Sequence, residues 1–135
     1  MAPTAEETYR VLGLIHVMEG AQREAETILR DAVALPGSSE YTLATLGYAL
    51  GRAGQHSEAR EILHSLEARR KEQYVSPVAL ATVCLGIGEN EEALNWAERS
   101  CEERRGWLAY MDVNPMLDPL RGKPRFEKLR RRMGL

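Results

Sequence analysis

The sequence predicts an all-α fold, a right-handed α-solenoid of three helix-turn-helix units closed by a C-terminal capping helix. Three observations predict it. A period of 34 residues runs through the chain, with Gly20, Gly54 and Gly88 in one column and Ala25, Ala59 and Ala93 in another. Glu24, Glu58 and Glu92 form a third column, and Leu12, Leu46 and Leu80 a fourth. Gly13, Gly47 and Ala81 form the fifth. Five columns in one register over three copies mark a repeat protein, whose units bury their apolar faces only by stacking. Within each copy the apolar residues recur at helical spacing. The composition agrees: 44% hydrophobic, 28% charged and only 6% aromatic, rich in Ala, Leu, Glu and Arg. That mix favours helix over strand.

Each element follows in order. Thr4 with Glu7 fits a capping box and starts a helix over 5–19, with Leu12, Ile15 and His16 on its buried face. Gly20 sits where that helix must stop and reverse, and glycine accepts the left-handed backbone of such an end. A second helix over 22–35 carries Ile28, Leu29 and Ala32 inward. The stretch LPGSS at 35–39 separates it from a third helix over 39–53, with Leu43, Leu46 and Leu50 inward. A fourth follows over 56–72, with Ile62, Leu63 and Leu66. Ser76-Pro77 reads as an N-cap with proline in the first turn, opening a helix over 77–87. A sixth helix covers 90–104. Residues 105–123 read as irregular with short helical turns, broken by Pro115 and Pro119. Pro124 starts a last helix to about 133, with Phe126, Leu129 and Met133 inward and Arg125, Lys128 and Arg132 outward. The chain thus reads as one domain over 1–135, with repeats at 6–39, 40–73 and 74–107 and a cap over 108–135.

Gly13 and Gly47 fall on the first helix of a pair (helix A), and Ala25, Ala59 and Ala93 on the second (helix B). Small side chains there let the two helices approach, and a larger one costs about 1–3 kcal/mol. The repeated phrase is therefore a packing instruction.

These columns and the period resemble the tetratricopeptide repeat. Leu12-Gly13, Ala25 and Leu29 match its pattern, as do Leu46-Gly47, Ala59 and Leu63. Copy three departs with Ala81 for glycine and Ala97 for the large residue, Trp96 filling the space. The resemblance implies a non-catalytic scaffold that binds a protein or peptide. A narrower resemblance covers about 40–135: the ending LDPLRGKPRFEKLRRRMGL is similar to the close of such arrays in large bacterial signalling proteins, where they follow a Ser/Thr kinase, an adenylate cyclase or a winged-helix region. No motif of those upstream activities occurs in this sequence.

In the repeat family the A helices line the concave surface. The resemblance places Glu7, Arg10, Leu14 and Val17 on that surface in copy one. In copy two it places Tyr41, Ala44, Thr45, Tyr48 and Arg52 there, and in copy three Val78, Thr82 and Leu85. Arg10, Leu14, Tyr41, Thr45, Tyr48, Arg52 and Thr82 are the candidate ligand contacts. Arg10 and Arg52 suit a carboxylate, and Tyr41 and Tyr48 offer flat amphipathic area. Tyr48 and Tyr41 could equally pack between neighbouring repeats. The subtype that clamps a chaperone's C-terminal carboxylate needs an early asparagine, and none precedes Asn90.

Other chemistry finds little support. His16, His56 and His64 are dispersed, Cys84 and Cys101 lie seventeen apart, and neither CxxC nor HExxH occurs, so no metal or cofactor is expected. No nucleophile has both a base and an orienting group, so no enzyme is expected. Residues 121–135 hold seven basic residues and one acid, leaving the first 120 residues with a net charge of -8. The basic tail raises nucleic acid, but the acidic body opposes a polyanion and no aromatic stacking pattern accompanies the arginines. No apolar run reaches membrane-span length, the N-terminus lacks a signal pattern, and two cysteines make no disulfide framework, so the cytoplasm is the expected compartment. The alternative function is self-association through an apolar patch of Val11, Leu14 and Ile15 on the uncovered first helix.

Overall fold

The computed structural model describes residues 4–103 and 115–134. Seven α-helices appear there: α1 (Ala5–Met18), α2 (Gln22–Ala34), α3 (Glu40–Arg52), α4 (His56–Arg70), α5 (Pro77–Ile87), α6 (Asn90–Glu103) and α7 (Pro124–Arg132). A 3-10 helix, Pro115–Leu120, precedes α7. Among the described residues there is no strand. The six repeat helices match the sequence expectation to within one or two residues at each end. Part of the irregular stretch expected at 105–123 lies outside the described residues, and the short helical turn expected within it is Pro115–Leu120.

The reversal inside each pair is built the same way three times. Gly20, Gly54 and Gly88 take φ of 80°, 84° and 91°. The next residue's N–H then reaches back to a carbonyl five positions earlier: Ala21 to His16 at 2.8 Å, Gln55 to Leu50 at 2.9 Å and Glu89 to Cys84 at 2.9 Å. This is the glycine-ended closure that satisfies otherwise orphaned helix carbonyls. The repeated Gly is thus a stop signal.

Packing is sequential. Each pair packs within itself (α1 with α2, α3 with α4, α5 with α6), and each B helix lies on the next A helix. The A helices also lie side by side, α3 on α5 far more extensively than α1 on α3. This is a helical-repeat solenoid. Its centre is α5, every residue of which is buried, as expected of a helix apolar on all sides. The tight α3–α5 approach has a specific cause. A Cβ on Gly51 would stand 2.5 Å from the Gly86 carbonyl carbon, and one on Gly86 would stand 2.6 Å from the Tyr48 Cα. Backbone meets backbone there. At Gly13 and Gly47 the added atom meets side chains instead, Leu29 at 2.5 Å and Ile62 at 3.1 Å.

Two inward assignments are corrected. Leu12 and Ile15 are exposed, at 41% and 45%, although Leu46 and Leu80 in the Leu12 column are 4% and 0% exposed. The reason is positional: among the described residues, α3 and α5 each pack against the B helix that precedes them, and no B helix packs against α1 from that side. Of the apolar patch expected there, Val11 and Ile15 are exposed, whereas Leu14 is half-buried and packs on the core. In the cap, Phe126 and Leu129 are buried and Met133 packs beside Leu129, as expected. Arg125 stays partly exposed, as expected, but is not free in solvent. It lies on α6, bonding Glu91 at 2.8 Å, Asn95 at 2.7 Å and Glu98 at 2.9 Å.

One tie crosses from copy one to copy two. In α1 the capping box is complete: Glu7 N–H donates to Thr4 Oγ and Thr4 N–H to the Glu7 carboxylate, both at 3.1 Å. In α3 the position of the reaching glutamate is Thr42, and Glu6 of α1 supplies the carboxylate in its place. It accepts the Ser39 N–H at 2.7 Å and the Ser39 hydroxyl at 2.9 Å, together with the Thr42 hydroxyl. Burial pushes the Glu6 carboxyl up, but these donors and the nearby Arg10 outweigh it and hold the group below its ordinary range. The folded state therefore binds this proton less readily than the unfolded chain. The stabilisation is present above the unfolded value of about 4.3 and is lost as pH falls below it. Glu6→Ala is expected to cost about 1 kcal/mol at neutral pH, by analogy with a lost helix cap. Melting of both proteins between pH 6 and pH 3 checks it: the difference should shrink with acidification.

Candidate groove on the A helices

The candidate contacts separate into two groups. Arg10 and Leu14 on α1 and Tyr41 at the start of α3 are half-exposed, and Arg52 in the last turn of α3 is exposed. Thr45, Tyr48 and Thr82 are buried. Each threonine hydroxyl donates to the carbonyl one turn back in its own helix, Thr45 to Tyr41 and Thr82 to Val78, both at 2.8 Å. Tyr48 is only 3% exposed, with its backbone against Gly86. It packs between repeats, the second of the two roles its sequence position allowed. Burial raises the Tyr48 phenol above its ordinary value; Arg52 opposes this and Asp118 adds to it. The hydroxyl thus stays protonated and lies within the field of both charges.

The chain itself covers the third copy. Met116, Leu117 and Leu120 of the 3-10 helix are buried in the main core. Leu117 and Leu120 face Val78, Ala81, Thr82 and Leu85 across a small apolar cavity. The sequence offered no sign of this roof, because Pro115–Leu120 lies outside the 34-residue register. Of the candidate contacts, Arg10, Leu14, Tyr41 and Arg52 stay accessible, all of them on copies one and two.

Their geometry follows from the repeat register. Arg10 is level with Ala44 on the neighbouring A helix, and Arg52 lies eight residues further along. At 1.5 Å per residue that is about 12 Å along the axis, and the spacing of about 8–10 Å between neighbouring helices brings the separation to about 15 Å. One carboxylate cannot meet both guanidinium groups. An extended peptide rises about 3.3 Å per residue, so two acids about four residues apart can.

Other candidate chemistry is weak. No group of three or more His, Cys, Asp or Glu among the described residues could hold a metal ion. His16 is half-buried, and its Nδ1 is buried without a hydrogen-bond partner among the described residues. Burial, with Glu92, Glu67 and Glu89 nearby, pushes the Cys84 thiol up to about 12, so it is no ready nucleophile. The basic tail is partly spent inside the protein: besides Arg125 on α6, Arg130 pairs with Glu127 at 2.9 Å and Arg121 with Asp118 at 2.9 Å. Among the described residues no helix is long and apolar enough to cross a membrane.

A family model described as tetratricopeptide repeat matches residues 4–113. No curated protein and no solved structure is significantly similar to the chain.

Proposed function

Because the chain belongs to the tetratricopeptide repeat family, a family of protein-binding scaffolds, we propose that its A-helix face grips an extended acidic segment of a protein partner. The observation that carries this is the division of that face. The repeat columns and the 3-10 roof bury Thr45, Tyr48 and Thr82, leaving Arg10 and Arg52 about 15 Å apart with Leu14 between them in register and Tyr41 beyond Arg10. Two cations at that spacing suit acids about four residues apart in an extended chain, with an apolar residue between them for Leu14. The binding is non-catalytic and uses no cofactor. The ending LDPLRGKPRFEKLRRRMGL supports a place in bacterial signalling or regulation, and the unpaired buried thiols of Cys84 and Cys101 suit a reducing cytoplasm.

The test is charge reversal. The double variant Arg10→Glu, Arg52→Glu should bind acidic peptides of the D/E-x-x-x-D/E type at least about 10-fold more weakly, since each charge-assisted pair contributes about 1.5 kcal/mol or more. Its melting temperature should stay close to that of the parent. Unchanged peptide affinity in a folded double variant would remove the groove assignment.

A further inference from the structure

Copy three is built differently from the other two at the point where its helices meet. Gly13 and Gly47 give way to Ala81 in the A-helix column, and Leu29 and Leu63 give way to Ala97 in the B-helix column. In copy one the large residue lies directly over the glycine: a Cβ on Gly13 would stand 2.5 Å from the Leu29 Cγ. Leu29 and Leu63 are both buried. With alanine in both columns, copy three has no large side chain of its own for that space. Ala81, Ala93 and Ala97 instead line one apolar cavity with Val78 and Leu85, and Leu117 and Leu120 close it from the 3-10 helix. The result is a socket at α5 and α6, lined by small residues and filled by leucines from another segment.

The filling behaves as a ligand does. Residues 115–120 lie outside the 34-residue register. Leu117 and Leu120, three apart, share one side of the 3-10 helix and are buried, while Asp118 and Pro119 between them face solvent. The contacts of this turn with α5 and α6 are slighter than those between any two consecutive repeat helices, and they leave part of the cavity unfilled. Thr82, the polar residue in the lining, keeps its hydroxyl on the Val78 carbonyl of its own helix, so the socket selects by apolar shape. The last helix has its own hold on α6, through the three bonds of Arg125 and the packing of Leu129 with Ala97 and Cys101. The turn can therefore leave while α7 stays.

We propose that copy three carries a second binding site, an apolar socket for two side chains three positions apart in a tight turn. Pro115–Leu120 fills it in cis, and a partner segment of the same chemistry enters by displacing that turn. The socket uses neither Arg10 nor Arg52, so this assignment and the groove can fail separately.

A peptide of residues 115–123, PMLDPLRGK, is the probe. In the full chain carrying Leu117→Ser with Leu120→Ser, the Ala81, Ala93 and Ala97 methyl resonances should shift and saturate as the peptide is added. In the parent the tethered turn competes at an effective concentration of millimolar order, so the apparent affinity should be at least about 10-fold weaker. The same peptide with both leucines changed to serine should move none of the three methyls. Adding Arg10→Glu and Arg52→Glu to the protein should leave the peptide's affinity unchanged; loss of binding there would return the peptide to the groove and overturn the socket. A folded double-serine protein whose three methyls do not respond would also overturn it, as would an equal response to the serine peptide. Where the double change unfolds the protein, Leu117→Ala alone takes its place. That variant should bind PMLDPLRGK more tightly than the parent does, and equal affinity would count against the socket just as decisively.

Discussion

Leu80→Ala is expected to destabilise the protein by about 3 kcal/mol, and Leu12→Ala by less than about 1 kcal/mol, although the two leucines occupy one column of the repeat. Leu80 is fully buried on α5, between α3, α4 and α6. Removing its isobutyl group takes away the transfer term and leaves a cavity that close-packed neighbours fill only in part. Such changes cost about 2–5 kcal/mol. Leu12 is 41% exposed, so much of its side chain already meets water and truncation leaves no enclosed void. Leu46→Ala should resemble Leu80→Ala. Urea denaturation of the three variants checks the order. Equal losses at Leu12 and Leu80 would mean that α1 is covered in solution.

Gly86→Ala is expected to cost about 2 kcal/mol net, and Gly51→Ala about the same. Alanine in a helix interior is favoured over glycine by about 1 kcal/mol, so the clash must exceed that gain. It does so because the new methyl group meets main chain. At Gly86 the nearest atoms are the Tyr48 Cα and carbonyl oxygen, both at 2.6 Å. Relief requires α3 and α5 to separate along the tightest contact between A helices, and forced separation of that kind costs about 1–3 kcal/mol, occasionally more. Gly47→Ala provides the contrast. Its Cβ would meet Ile62 and Val83 methyls at 3.1 Å, which can shift by a few tenths of an ångström, so the net change should be near zero. Thermal melts of Gly47→Ala and Gly86→Ala separate the two cases, and a Gly86→Ala protein as stable as the parent would show that α3 and α5 do not meet backbone to backbone.

How much of this was legible in the sequence depends on whether a feature obeys the period. The three helix pairs, the Gly20, Gly54 and Gly88 stops and the close approaches at Gly13 and Gly47 all sit in the register and could be read directly. Gly51 and Gly86 are 35 residues apart, one step out of register, so column reading passes over their contact. Glu6 caps a helix that begins more than thirty residues later, and nothing local distinguishes it from Glu7, which serves its own helix. Leu12 and Ile15 carry the pattern of buried residues, but burial needs a neighbour, and among the described residues no helix packs over that face of α1. For the groove, the sequence could propose which positions lie on the A-helix face. It could not show that Thr82 is roofed, because the roof comes from Pro115–Leu120, outside the repeats.

The groove rests on one physical picture: hairpins stacked in sequence, tightest at α3 and α5 and, among the described helices of the repeats, loosest at α1. Native-state hydrogen exchange measures this directly, since local opening free energies run from near zero at frayed elements to the global value in the core. The account expects the slowest amides in α5 and the adjoining half of α3, faster exchange in α2, and the fastest helical exchange in α1, with α1 opening at low denaturant independently of the rest. Uniform protection from α1 through α6, with every helix opening only in global unfolding, would contradict it.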